Sequence, residues 1–405
     1  MERQLARIRS ETAALHEELE RLPYARAVMD ASIPVALYAS FLRAVAIVHD
    51  ELDKALLMHP ELRSVASARS AHRRELLEQD LAALQLSPLA TDAAGLQALV
   101  LGQELRLLAL RDPLTLLGHA YVLEGSQLGS AGQHQALQKR ADLQGALRYL
   151  GSTDTADFKA FASRLTSALD SEEKTDAAVR GAVAHFEGFR KILEALDPVR
   201  APAQRLSAQI NSDAGNHPMP EALREVRAAL LAGERSWAES PYYFARYGER
   251  GRRFTRSDSG WLVTIGREDF AVAQRQVGWL SRVLSARGMP SILLERHLQL
   301  LRDELLKALP DNAYPSLEAA AAQLGQERLS FVPAFDELVE QAAARLSGGP
   351  LSPRECATLL VGAAADEKRG IAEAAPSLTA WLCDSSRASS AFITEADATL
   401  RAARR

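Results

Sequence analysis

Strand-forming runs are almost missing from this chain. β-Branched runs bounded by turn residues hardly occur, while Ala, Leu, Arg, Glu and Gln fill one segment after another, so the long segments read as helices. An all-α fold is the consequence. Residues 3–22 set the pattern: Leu5, Ile8, Leu15, Leu19 and Leu22 fall mostly three, four or seven apart, and Pro23 ends the helix whose face they line. The same reasoning predicts helices over 33–57, 68–84, 93–109, 112–137, 155–170 and 175–196, with Pro34 tolerable near a start and Pro88 a break. Near residue 198 the composition shifts. DPVRAPAQRL and then SDAGNHPMPEAL are rich in proline and small polar residues, which is linker composition. The predicted layout is a helical domain over 1–197, a linker over 198–220, and a second helical domain over 221–405. The clearest helices of the latter are 221–233, 268–287, 290–308, 316–346 and 352–366.

At 405 residues, 47% hydrophobic and 25% charged, the chain is long enough for two domains with separate cores. The cysteines, Cys356 and Cys383, are too few for a disulfide framework or a thiolate metal cluster and read as buried thiols. No basic start is followed by an apolar run, and no apolar run of about 18 residues is free of charge. The expectation is a soluble, cytoplasmic protein with no secretory signal and no membrane partner. A net charge of -4, with Arg and Glu interspersed, gives no electrostatic reason to expect nucleic acid as a partner.

Three features could carry chemistry. His16 follows Leu15 within the first apolar stripe, and Glu20 lies one turn later. A histidine turned toward a core with a carboxylate at i+4 fits a metal-ligating imidazole held by a carboxylate acceptor; the competing reading is a satisfied core or boundary histidine. The second feature is the apolar helix DPLTLLGHAYVLEGSQLGSAGQHQAL, interrupted by Gly125, Gly129 and Gly132. Interior glycines cost about 1 kcal/mol each against alanine, so they mark either a tight helix crossing or a backbone lying flat against a planar ligand. The third is YYFARYGERGRRFTRSDSGWLVTI, 242–265. Arg246, Arg250, Arg252 and Arg253 could bind an anion. The favoured alternative is a structured connection with Tyr243, Phe244, Tyr247, Phe254 and Trp261 packed inward and the arginines in water. His297, on a helix, reads as surface or core.

Four blocks in order over about 190 residues carry a resemblance: IRSETAALHEELE (8–20), YASFLRAVAIVHDELDKAL (38–56), RRELLEQDLAAL (73–84) and AYVLEGSQLGS (120–130). Together they resemble the biliverdin-producing heme oxygenase family, in the bacterial branch found beside bacteriophytochromes. The resemblance implies that His16 is the proximal ligand of the heme iron, that Glu20 hydrogen-bonds its imidazole, and that Arg9, seven residues earlier, faces a heme propionate. It also makes the glycine-bearing helix the distal one, with Gly125 and Gly129 against the heme. Two positions depart from the pattern. Ser130 stands where many members have the second glycine of a pair, and Ser126 stands where the animal enzymes have an acid that orders the distal water. Lys159 and Arg164 are candidates for further propionate contacts, with a solvated face as the simpler reading of each. Tyr121, one turn before Gly125, is either pocket wall or core.

The implied reaction uses heme as substrate and cofactor with O2, and yields biliverdin, carbon monoxide and ferrous iron. No flavin or nicotinamide fingerprint occurs in the chain, so the electrons are expected from a separate reductase or ferredoxin, and a bacteriophytochrome is a possible acceptor of the bilin. The second half resembles no recognised family and is expected to be a regulatory or interaction domain. Two other functions remain open: a heme or bilin sensor with this fold and no turnover, and a scaffold without heme, against which the His16–Glu20 pair argues.

Overall fold

The computed structural model describes residues 2–66, 70–84, 93–152, 155–197, 206–311 and 314–405. Among them there is no strand, only an isolated antiparallel bridge between Leu206 and Pro218, and the fold is all-α. Pro88 and the 198–205 part of the predicted linker lie outside the described residues. The chain divides into two compact units, Met1–Arg205 and Leu206–Arg405.

The first unit contains α1 (Glu2–Glu20), α2 (Pro23–Met29), α3 (Val35–Leu57), α4 (Pro60–Ala66), α5 (Ser70–Leu84), α6 (Ala93–Arg111), α7 (Leu116–Leu137), α8 (Arg148–Gly151), α9 (Thr155–Ala168) and α10 (Glu172–Glu194). Pro23 closes α1 and opens α2, because a proline at the first helical position gives up an N–H that would have had no partner. The Ser171 side chain caps α10 by accepting from the Lys174 N–H at 3.2 Å. α3 packs along α6, and α10 packs against both α1 and α7. Ile8, Val45, Leu52, Leu105, Leu116 and Leu165 are among the apolar side chains of the single core this produces. By length and composition α6 alone among the described helices could cross a membrane, but 56% of its apolar window is buried, as befits a core helix.

α7 and α10 cross at close range. A Cβ on Gly118 would overlap the Ala178 carbonyl, and one on Gly181 would overlap the Thr115 carbonyl, so two glycines face each other's helix where the backbones nearly touch. Beside this crossing His119 and His185, both buried, approach Nδ1 to Nδ1 at 3.2 Å. Burial holds His119 well below the usual histidine range and His185 down to about 4. His49, bonded to the Tyr149 hydroxyl at 3.2 Å, is likewise pushed down to about 3 by burial and then by the nearby Arg73 charge. All three are neutral core groups at physiological pH. The buried Asp80 carboxylate accepts from the Arg148 and Tyr149 N–H groups at 3.0 and 2.8 Å, satisfying the start of α8.

The second unit contains α11 (Leu223–Glu239), α12 (Tyr242–Ile265), α13 (Phe270–Ala286), α14 (Ser291–Ala308), α15 (Pro315–Phe331), α16 (Phe335–Ala343), α17 (Pro353–Lys368), α18 (Ala374–Leu382) and α19 (Ser390–Arg404). One apolar core lies among α11 to α15 and a second among α16 to α19, joined by Tyr242 from the start of α12. Two expectations are corrected here. The helix predicted over 316–346 is two helices, because Pro333 has no N–H to continue the first beyond Phe331. The 242–265 block is itself helical, not a connection, and turns at Gly248, whose φ of 52° suits a residue without Cβ.

Its arginines are engaged inside the unit. Arg246 donates to the Tyr242 hydroxyl at 2.6 Å and to the Ser377 carbonyl at 2.8 Å; Arg250 and Arg253 share Asp213 at 3.3 and 3.8 Å, and Arg252 pairs with Glu249. Tyr243 and Trp261 are buried as expected, whereas Phe244 is 47% exposed. His297 is a core residue between the Ser236 and Ser259 hydroxyls, at 2.7 and 3.0 Å. Both cysteines are free thiols; Cys356 is buried as expected, whereas Cys383 is only half-buried.

Candidate functional site

α1 presents Arg9, His16 and Glu20 on a side its core stripe leaves open. Ile8 is buried and Leu5, Leu15 and Leu19 pack against the core, so a residue one step past Leu15 is rotated by about 100° to the edge of the stripe. His16 accordingly does not point into the core, as its place in the stripe had suggested: its side chain is 62% exposed. The Nδ1 atom lies 3.5 Å from Glu20 Oε1, and the ring meets Phe186 of α10 edge-on with centroids 5.9 Å apart. The other ring nitrogen has no protein partner among the described residues. Arg9, seven residues earlier and thus on nearly the same face, is also exposed and ends in no ion pair among the described residues.

The second half of the candidate site is α7, which stays hydrogen-bonded as one helix through Gly125, Gly129 and Gly132. The predicted interruption is absent. The glycines instead leave the helix surface bare. A Cβ on Gly129 would meet nothing within 4 Å, and one on Gly125 would only touch Phe158 of α9 at 3.9 Å. The tight crossing, one of the two readings of these glycines, belongs to Gly118, two turns earlier on the same helix. Ser126 is exposed, but its hydroxyl donates back to the Leu123 carbonyl at 2.8 Å. Ser130 is buried and donates to the Leu150 carbonyl at 2.9 Å, so its side chain is turned away from the bare surface, toward α8.

Glu124, next to Gly125, is fastened to α5 by Arg73, with Arg73 Nη2 at 2.5 Å from Glu124 Oε2. Burial raises the Glu124 carboxyl above its ordinary range, and the Arg73 charge opposes that shift. Arg73 is itself buried, so the pair fixes the rotation of α7 about its axis. Of the remaining candidates, Tyr121 is half-buried against the core, Lys159 is exposed, and Arg164 donates Nε to the Val65 carbonyl at 3.2 Å. Arg164 is therefore tied to α4, whereas Lys159 is a solvated cation. Phe158, Phe186 and the Arg73–Glu124 pair were not singled out from the sequence. The apolar spacing of Phe158 with Phe161 and of Phe186 with Phe189 was the available signal, and it reads equally as core.

α1 and α7 share α9 and α10 as packing neighbours. An exposed imidazole on one and an unobstructed glycine surface on the other suit a flat macrocycle: a nitrogen donor, a backbone that admits close approach, and phenylalanine rings at the edges. The heme oxygenase family model matches residues 3–195. The first unit is a heme oxygenase domain. The second unit has no family match, and neither the curated proteins nor the solved structures include a match to the chain. Of the other histidines in the heme oxygenase domain, His72 is exposed on α5 and His134 half-buried on α7, and the remaining four are engaged or enclosed. His49, His119 and His185 are buried, and His59 is bonded to the Ala109 carbonyl at 2.7 Å.

Proposed function

We propose that the heme oxygenase domain binds heme through His16 and opens its ring oxidatively to biliverdin, carbon monoxide and ferrous iron, with electrons from an external reductase or ferredoxin. The observation that carries this is the open imidazole of His16 beside Glu20 within the matched domain. Bound heme supplies the site of oxygen activation, and the residues of the chain arrange it. Glu20 Oε1, 3.5 Å from Nδ1, would hold a proton on that nitrogen when heme binds, which would leave the opposite nitrogen free for the iron. Arg9, exposed on the same side of α1, would pair with a propionate and help to orient the macrocycle. Lys159 offers a second cation. The bare surface at Gly125 and Gly129 would leave room for the macrocycle and a small ligand and would bring no side-chain donor to compete for the iron.

A second reading is favoured by Ser126. Its hydroxyl is engaged on the Leu123 carbonyl, and no acid stands at that position, so the distal side has fewer groups to order a water or deliver a proton. A heme sensor without turnover would tolerate this. One experiment separates the two: hemin is titrated into the protein, ascorbate or a ferredoxin–reductase pair is added in air, and the absorption spectrum is followed. Decay of the Soret band into a bilin spectrum supports the oxygenase. A stable Soret band under reduction supports the sensor, and no Soret shift at all overturns both. As an oxygenase, the protein would supply a bilin to an acceptor such as a bacteriophytochrome, and the second unit would regulate it or dock a partner.

A further inference from the structure

The second unit carries a surface that none of the preceding roles uses. Trp279 of α13 is 46% exposed. Its ring is held edge-on by Trp261, with centroids 6.2 Å apart at 86°, and Trp261 is itself packed on the His217 ring at 5.0 Å. This aromatic ladder runs from the core to the surface, so the exposed indole is fixed in place and loses little freedom on being covered.

Arg275 and Arg282, four residues before and three after Trp279, share its helix face and are both exposed. Neither guanidinium ends on a carboxylate among the described residues. Arginines elsewhere in the unit do: Arg267 on Glu225, Arg296 on Glu239, Arg302 on Glu318 and Arg328 on Glu295. Gly278 leaves the surface beside the indole low, and Arg282 Nη1 lies 3.9 Å from where a Cβ there would stand. The result is a rigid tryptophan between two unneutralised guanidiniums spaced about 10 Å along the helix.

We propose that the Arg275–Trp279–Arg282 face of α13 is a docking surface for an acidic segment of another protein, with Trp279 as its buried anchor and a carboxylate for each arginine. Tryptophan and arginine are the residue types that most often dominate interface energies. A second copy of this chain does not fit. A two-fold pairing through this face brings like charges together in either helix orientation, Arg275 onto the partner's Arg282 or each arginine onto its own counterpart. Nucleic acid is disfavoured because two cations on a chain of net charge -4 release few counterions. The assignment is independent of the heme reading of the first unit.

The test selects a displayed library of 16-residue helical peptides on the full chain. Binders should carry Asp or Glu two turns apart around a large apolar residue, and added salt should weaken them. Arg275→Gln with Arg282→Gln, and separately Trp279→Ala, should each weaken binding tenfold or more. Trp279→Phe, which retains contact with Trp261, guards against a folding defect, and thermal melts of all variants accompany the titrations. The proposal is overturned if no selected peptide depends on these residues in folded variants. It is equally overturned if phosphatidylserine vesicles or a 20-nucleotide oligothymidylate bind through Trp279 more tightly than every acidic peptide.

Discussion

An imidazole that is to hold a metal must keep one nitrogen free and the other restrained, and His16 does both because it lies one step off a core stripe. His16→Ala should abolish a histidine-ligated heme spectrum, and added imidazole should restore part of it. The fold should be unaffected, since the side chain is 62% exposed and surface truncations shift stability by about 0.5 kcal/mol or less. An unchanged spectrum and unchanged turnover in this variant would remove His16 from the site. Gly129 offers a sharper contrast. With nothing within 4 Å of its Cβ position, Gly129→Leu should keep or raise thermal stability, by about 0.5–1 kcal/mol from helix propensity. Heme affinity or turnover should nevertheless collapse, because the new side chain fills the proposed ligand space. Melting temperature, hemin titration and bilin formation on one preparation decide it: a stable variant with normal heme binding and turnover would show that this surface is not the distal wall.

The element most constrained is α7. Gly118 and Gly181 bring its first turns onto α10, the His119–His185 contact fastens the crossing, and Arg73 holds Glu124 in the middle of the helix. The histidines set a pH dependence. Burial lowers the folded-state pKa of His185 to about 4, of His49 to about 3, and of His119 in the same direction, so below about pH 6.5 the unfolded chain binds more protons than the folded one. Stability is therefore full at neutral pH and is lost as pH falls through the window from about 6.5 toward 4, at about 1.4 kcal/mol per pH unit for each such histidine. Chemical denaturation at pH 7.0 and 5.0 should show the drop for the wild type. His119→Phe or His185→Phe, folded at pH 7, should flatten the slope; an unaltered slope in both would place the acid sensitivity elsewhere.

At the scale of the whole molecule, the apolar core of the first unit contains only residues from that unit, and both cores of the second contain only its own. The fragment 1–205 should therefore be soluble, should melt cooperatively, and should bind hemin with an affinity within a few-fold of the full chain. An insoluble or heme-free fragment would show that the halves depend on each other. Residue types alone determined the helical class, through the scarcity of strand-forming runs and the 3.6-residue spacing of leucines. The ordered blocks around His16 and Gly125 likewise made the heme oxygenase family legible. Tertiary structure decided the rest. Whether a glycine serves a crossing or an open surface depends on what stands opposite it, so Gly118 and Gly129, on one helix and with the same freedom, have different jobs. A helical block of arginines and aromatics at 242–265 read as a connection because its pairing partners, Asp213, Gly288 and Ser377, are distant in sequence. His16 looked inward because periodicity locates a stripe only to within one residue. Its exposure follows from the packing of α1 on α10, an interaction between segments more than 150 residues apart that no local pattern encodes.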